Sequence, residues 1–268
     1  MQIKVRDLWK SYGKLQVLKG LSLDIMDGET LVILGRSGVG KSVLLRQIIG
    51  IEAPDKGYVE VNGINMTKLF KQRERQSLAK NMGMLFQGSA LFDSMNVGEN
   101  TAFYLHEHPD AETGKKIPEG EIKDRVSHAL ELVGLEGTEE KMPSDLSGGM
   151  RKRAALARLI VYRPKLLLYD EPTTGLDPIT AGQINELINK TKNELKATSI
   201  VVTHDVKSAI EIGDRLAFHE DGKIAQIAPK EEFFKIQDPM LKEFFANSLI
   251  NPELLTNNSH KKGSDLHD

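Results

Sequence analysis

The stretch TLVILGRSGVGKSVLLRQIIG (residues 30–50) sets three local signals in the order that decides the fold. TLVIL is a short uninterrupted apolar run, the length and composition of a buried strand. GRSGVGKS (residues 35–42) satisfies the pattern G-x-x-x-x-G-K-[ST] at every position. KSVLLRQII then reads as an apolar helix that Gly50 stops. In that succession backbone N–H groups can face a polyphosphate. Gly35, Gly38 and Gly40 let the chain curl, Lys41 reaches the terminal phosphates, and the Ser42 hydroxyl binds Mg²⁺. By itself the loop also reads as a glycine-rich turn between strand and helix. The candidate nucleotide contacts are Gly35, Arg36, Ser37, Gly38, Val39, Gly40, Lys41, Ser42 and Val43.

Outward from this stretch, strand-like and helix-like patterns alternate, the rhythm of an α/β core. IKVRDLWKSY, QVLKGLSLDI and GYVEVNG read as strands of an antiparallel sheet in the N-terminal part. Helix-like stretches predominate from about Ser89 to Pro143, DRVSHALELVG being the clearest, so a helical subdomain covering about residues 89–160 is expected inside the α/β core. The α/β rhythm resumes with KLLLYD, PITAGQINELINKTKNEL and TSIVVTH. One domain spanning residues 1–250 is expected, followed by a polar, aperiodic and mobile tail at 251–268.

Composition bounds the classes. The chain has 268 residues, 40% apolar and 28% charged, the make-up of a globular protein able to bury a core. Its net charge of −2 gives no general basic surface, so no nucleic-acid partner is expected. It has no cysteine, hence no disulfide and no thiolate metal site, which suits a reducing compartment. The N-terminal MQIKVRDLWKSYGK lacks the apolar core of a secretory signal, and no apolar run has membrane-spanning length. A membrane role would therefore come through a partner.

Two further stretches carry chemistry. KLLLYDEP is an apolar strand ending in adjacent acids, where Asp170 is placed to hold a metal ion and Glu171 to orient or deprotonate an attacking water. A helix N-terminal acid pair is the alternative. LSGGMRKRAALARLI (residues 146–160) sets Ser147, Gly148 and Gly149 at a helix start whose first-turn N–H groups can face an anion. Taken alone it reads equally as an ordinary N-cap.

With these motifs together the chain resembles the ATP-binding cassette (ABC) ATPases over nearly its whole length. The resemblance implies an α/β P-loop NTPase cassette with an antiparallel β subdomain, a RecA-like core and an inserted helical subdomain, using ATP and Mg²⁺. It also explains why one chain carries two anion sites. In that family the Leu-Ser-Gly-Gly signature of one cassette closes over nucleotide held by the phosphate loop of a second copy, head to tail, giving two composite sites per dimer. Gln87 in MLFQGS matches the glutamine loop that touches Mg²⁺ and water, and whose neighbours meet the membrane partner. His204 in IVVTHD matches the switch histidine at the γ-phosphate, and Asp177 in GLDP matches the loop that crosses the dimer interface. Tyr12 resembles the aromatic that stacks on adenine, with Trp9 nearby as an alternative strand aromatic. Outside that context a lone Gln is a strand end and a lone His is structural.

LSGGMRKRAALARL, where many members have Gln in place of Met150, together with FQGSALFDSMNVGENTAFYLHEH and GLDPIT, is similar to the ATPases of MCE-associated, Mla-type lipid transporters. That narrower resemblance implies an integral permease as partner and, through it, an MCE-domain lipid-binding protein. It also implies a cytoplasmic position, peripheral on the inner membrane. An importer ATPase for a small polar solute is the competing reading; a soluble non-transport relative would carry a second cassette or long coiled coils. The apolar residues Leu91, Phe92, Met95, Val97, Phe103 and Tyr104 after Gln87 are expected either to pack the helical block or to line a groove for a permease helix.

Overall fold

The computed structural model describes residues 2–68, 80–110 and 113–248; the expected mobile tail at 251–268 lies outside the described residues. An antiparallel sheet in the order β2-β1-β4-β5 forms the N-terminal layer, from β1 (Ile3–Tyr12), β2 (Leu15–Ile25), β4 (Lys56–Val61) and β5 (Ile64–Asn65). A six-stranded sheet holds β3 (Thr30–Leu34), β6 (Met82–Leu85), β7 (Leu166–Asp170), β8 (Thr198–Thr203), β9 (Arg215–Glu220) and β10 (Lys223–Pro229). Its order is β10-β9-β3-β8-β7-β6, parallel except for the antiparallel pairing of β9 with β10. The strand and helix assignments made from residues 30–50, KLLLYD, TSIVVTH and PITAGQINELINKTKNEL all match these elements.

The uninterrupted apolar run of β3 has a simple cause: both of its faces are covered. Leu31 and Ile33 enter a core beneath the antiparallel sheet, with Leu21, Leu44 and Ile48. Val32 and Leu34 enter a second core on the helical side, with Leu156, Ile184 and Val206. The first core includes α1 (Lys41–Ile49), which ends at Gly50 in the left-handed conformation. In the helical layer, α2 (Val97–Glu107) packs on α3 (Glu119–Leu132) and on α4 (Gly148–Ile160). The remaining helices are α5 (Pro178–Leu195), α6 (Val206–Ile212), α7 (Lys230–Phe233) and α8 (Pro239–Asn247).

The helical block starts later than its composition suggests. Asn96 caps α2 in a reciprocal capping box with Glu99, so the helix begins at Val97 rather than near Ser89. The residues before it are turns. Ser89 and Ala90 have φ of 66° and 51°, and the fully buried Asn100 side chain bonds the backbone of Phe92, Met95 and Asn96.

Candidate active site

The parallel strands end at one edge of the large sheet, where the phosphate loop, the tips of β7 and β8 and the turn after β6 converge. There Val17, Ser37, Gly38, Gly40, Lys41, Ser42, Val43, Gln87, Glu171, Thr174 and His204 line one cleft. Gly40, the N-cap of α1, has φ 106° and lends no side chain to the helix start. A Cβ there would lie 2.5 Å from Val17 Cγ1, so close packing as well as backbone freedom calls for glycine. Val17 is a wall of the cleft that no sequence motif marks.

Lys41 is 5% exposed. Its Nζ donates to the carbonyls of Gly35 (2.8 Å) and Arg36 (3.0 Å) and lies 3.3 Å from Glu171 Oε1. The Ser42 hydroxyl donates to Asp170 Oδ1 at 2.7 Å, bringing together two of the three residues read from sequence as metal ligands. Burial raises the Asp170 carboxyl, and the Ser42 hydrogen bond works against that rise. One hydroxyl and one carboxylate, with Gln87 lining the same cleft, fit Mg²⁺, which takes few protein ligands and fills its shell with water and phosphate oxygens.

Glu171 follows the end of β7 with φ 48°, a left-handed conformation costly for a non-glycine residue. Its N–H is bound to the Val202 carbonyl at 2.9 Å, which holds the turn. The carboxylate is then gripped from several sides. Oε2 accepts from the Thr174 hydroxyl (3.0 Å) and the Thr203 hydroxyl (3.3 Å), and His204 Nδ1 lies 2.9 Å from it. This contact sets the orientation of the imidazole relative to the carboxylate. The sequence paired Glu171 and His204 only with ligand; the structure pairs them with one another. Thr174 and Thr203 were missed, although both sit beside motif residues already singled out.

The signature lies in a different cleft. Ser147, Gly148, Gly149, Met150, Arg153, Gly175, Leu176, Asp177, Thr180 and Gln183 line it, sharing no residue with the phosphate cleft. Ser147 caps α4, accepting from the Met150 N–H at 3.2 Å. Asp177 caps α5, accepting from the N–H groups of Ile179 and Thr180 at 3.1 Å each, and also accepts from the Thr180 hydroxyl, which holds its carboxyl below the usual range. The second glycine has a steric cause: a Cβ on Gly149 would lie 2.6 Å from Thr180 Cγ2, whereas one on Gly148 meets only Leu176 at 3.8 Å.

Tyr12 is 43% exposed and outside the phosphate cleft, its hydroxyl donating to Glu52 and Lys10 Nζ lying 5.5 Å from its ring centre. Trp9 is occupied structurally: its indole N–H donates to Asp7 at 2.9 Å and its ring covers Gly20.

Beyond Gln87, a third recess is lined by Phe92, Phe103, Tyr104, Ala155, Arg158 and neighbouring residues. The Phe92 and Phe103 rings are 4.7 Å apart and the Arg158 guanidinium stands 5.2 Å over Phe92. Of the apolar residues named after Gln87, Val97 is fully buried and Leu91 packs on the core, so they belong to the interior. Phe92, Phe103 and Tyr104 line the recess.

Four likenesses agree with this geometry. The ABC transporter family profile matches residues 18–174. The intermembrane phospholipid transport system ATP-binding protein MlaF of Haemophilus influenzae is 38% identical over 93% of this chain and 92% of its own length. The probable ribonucleotide transport ATP-binding protein mkl of Mycobacterium leprae is 39% identical over 93% of this chain and 70% of its own. A dimeric ATP-binding cassette solved with ADP and Pi superposes with a TM-score of 0.77 at 30% identity, covering 85% of this chain and 98% of that one.

Proposed function

As the chain belongs to the ABC transporter family, we propose that its ATP hydrolysis powers a separate membrane permease that moves phospholipid or a related lipid. ATPase chemistry with ATP and Mg²⁺ comes with the family. The lipid cargo is supported by one observation above all, the nearly end-to-end likeness to MlaF, of whose length this chain spans 92%. On this reading residues 1–250 form the ATPase domain, with residues 89–160 as its helical subdomain. The chain sits on the cytoplasmic face of the inner membrane through the permease, which in turn works with an MCE-domain lipid-binding protein. Among the described residues no helix is long and apolar enough to cross a membrane, so contact with lipid would be made by the partner chains.

The residues divide the work. The N–H groups of residues 35–43 and the Lys41 ammonium hold the phosphates of ATP. Ser42, Asp170 and Gln87 hold Mg²⁺, which when bound neutralises charge on the phosphate oxygens. Glu171 orients the attacking water and accepts its proton, while His204, Thr174 and Thr203 keep the carboxylate aimed. His204 is also close enough to the cleft to meet the γ-phosphate. Ser147, Gly148 and Gly149 present the α4 N-terminus to the nucleotide of a second copy, with Asp177 beside them at the crossing. Tyr12, exposed at the end of β1, is the aromatic available to adenine.

The recess at Phe92, Phe103 and Tyr104 takes a short permease helix, and docking there and nucleotide state bias one another by reciprocal coupling. Purification of the tagged chain from membranes of its source, with mass spectrometry of copurifying proteins and lipids, tests the reading. A permease with bound phospholipid is the expected result. A complex whose ATPase responds to a small polar solute and carries no lipid would replace lipid transport with solute import.

A further inference from the structure

The signature helix contains a buried cation that the site described above does not use. Lys152, one turn into α4, is 5% exposed, and lysines are seldom buried without a specific partner. The partner its Nζ reaches is the backbone carbonyl of Gln87. That carbonyl opens an unusual stretch. Two residues later the backbone enters the left-handed region twice in succession, at Ser89 and Ala90, both of which have side chains. A residue with a side chain persists there only when its surroundings over-determine it. The far end of the stretch is held by Asn100, which donates to the carbonyls of Phe92 (3.0 Å) and Met95 (2.9 Å) and accepts from the Phe92 N–H (2.8 Å).

We propose that Lys152 is a positioning residue that clamps the entrance of the strained turn at residues 87–90, so that the Gln87 side chain is presented to the phosphate cleft. The geometry makes the clamp a link between sites. Gln87 lines the phosphate cleft, while Ser89, Ala90 and Phe92 line the recess beyond it. Lys152 stands on the helix whose N-terminus is Ser147 and whose Ala155, Arg158 and Leu159 floor the same recess. A displacement of α4 therefore moves the Gln87 carbonyl with it. Without the ammonium, the turn can leave its left-handed conformation and Gln87 is no longer aimed.

ATP hydrolysis by the full chain, at limiting and saturating ATP, tests this with Lys152→Met, which keeps the length and apolar stem and removes the donor. The expected result is a kcat lower by about tenfold with a KM for ATP changed less than about threefold, since Lys41 and its loop are untouched. Adding Ala90→Gly to Lys152→Met should recover a substantial part of kcat, because glycine holds a positive φ without a clamp. A loss caused only by a weakened core would not be repaired by a glycine in that turn. Parental kcat in Lys152→Met overturns the proposal. So does a kcat that Ala90→Gly fails to raise, or a chain that does not fold with either form, which would make Lys152 a core residue.

Discussion

The phosphate cleft and the signature cleft both open on a helix start rich in glycine, yet they are built to opposite ends. At the first, the N-cap Gly40 has no side chain, and the groups around it are tied into hydrogen bonds: buried Lys41 to loop carbonyls, Ser42 to buried Asp170, and the exposed His204 to buried Glu171. At the second, Ser147 and Asp177 cap their own helices, and the Asp177 carboxylate is engaged by α5 N–H groups and the Thr180 hydroxyl. On the proposed reading, the first cleft holds the groups that break a bond. The second sets two capped helix starts beside Arg153 and Gln183. On that reading the site is complete only when the second cleft of one copy meets the first cleft of another.

Glu171→Gln should give the largest effect. If the first cleft does the chemistry, kcat falls about 10²- to 10⁴-fold while ATP binding, measured by calorimetry, is retained. Near-parental turnover would remove Glu171 from its role. Lys41→Ala should act on the same cleft differently, weakening ATP binding itself.

The second cleft is tested by Ser147→Arg, expected to lower hydrolysis by about 10²-fold without weakening ATP binding to the isolated chain. Mixing Ser147→Arg chains with Lys41→Ala chains should restore activity that neither shows alone, since each mixed dimer has one intact composite site. A mixture as inactive as its components breaks the comparison.

Two smaller effects sharpen it. His219 lies under the phosphate loop, fully buried, with its carbonyl 2.6 Å from where a Gly35 Cβ would stand; burial and the nearby Lys41 hold its imidazole down to about 4. Its ordinary value is 6.5, so the unfolded chain binds a proton that the folded chain refuses. Stability should therefore decline as pH falls from about 6.5 toward about 4, by on the order of 3 kcal/mol from this group. His219→Phe should flatten that part of a pH series of urea midpoints; an unchanged slope assigns the acid sensitivity elsewhere. At the second cleft, Gly149→Ala should lower stability by about 1–2 kcal/mol through its clash with Thr180, whereas Gly148→Ala should leave the melting temperature nearly unchanged. Equal behaviour of the two would mean that Thr180 gives way freely.

Much of this was legible in the sequence because it depends on neighbours along the chain. The run at residues 30–50 specified strand, loop and helix, since each signal is local: apolar length, glycine spacing, a glycine stop. KLLLYDEP placed two acids at a strand tip for the same reason. What residues 89–97 would do was less legible, because Asn100 holds that backbone, and Lys152 the Gln87 carbonyl before it, through bonds that spacing does not reveal.

The sequence by itself determined the α/β cassette, the glycine loop between β3 and α1 and the helix start at Ser147, because motif, period and capping act over a few residues. Only the tertiary structure decided that Glu171 and His204 are partners, that Val17 walls the cleft, that Thr203 holds Glu171, that Thr180 dictates Gly149 and that Lys152 grips Gln87. These pairs come from different strands and helices. The pairing of parallel strands and the packing of α4 bring them within reach, and a distance between elements is not written in the order of residues along either one.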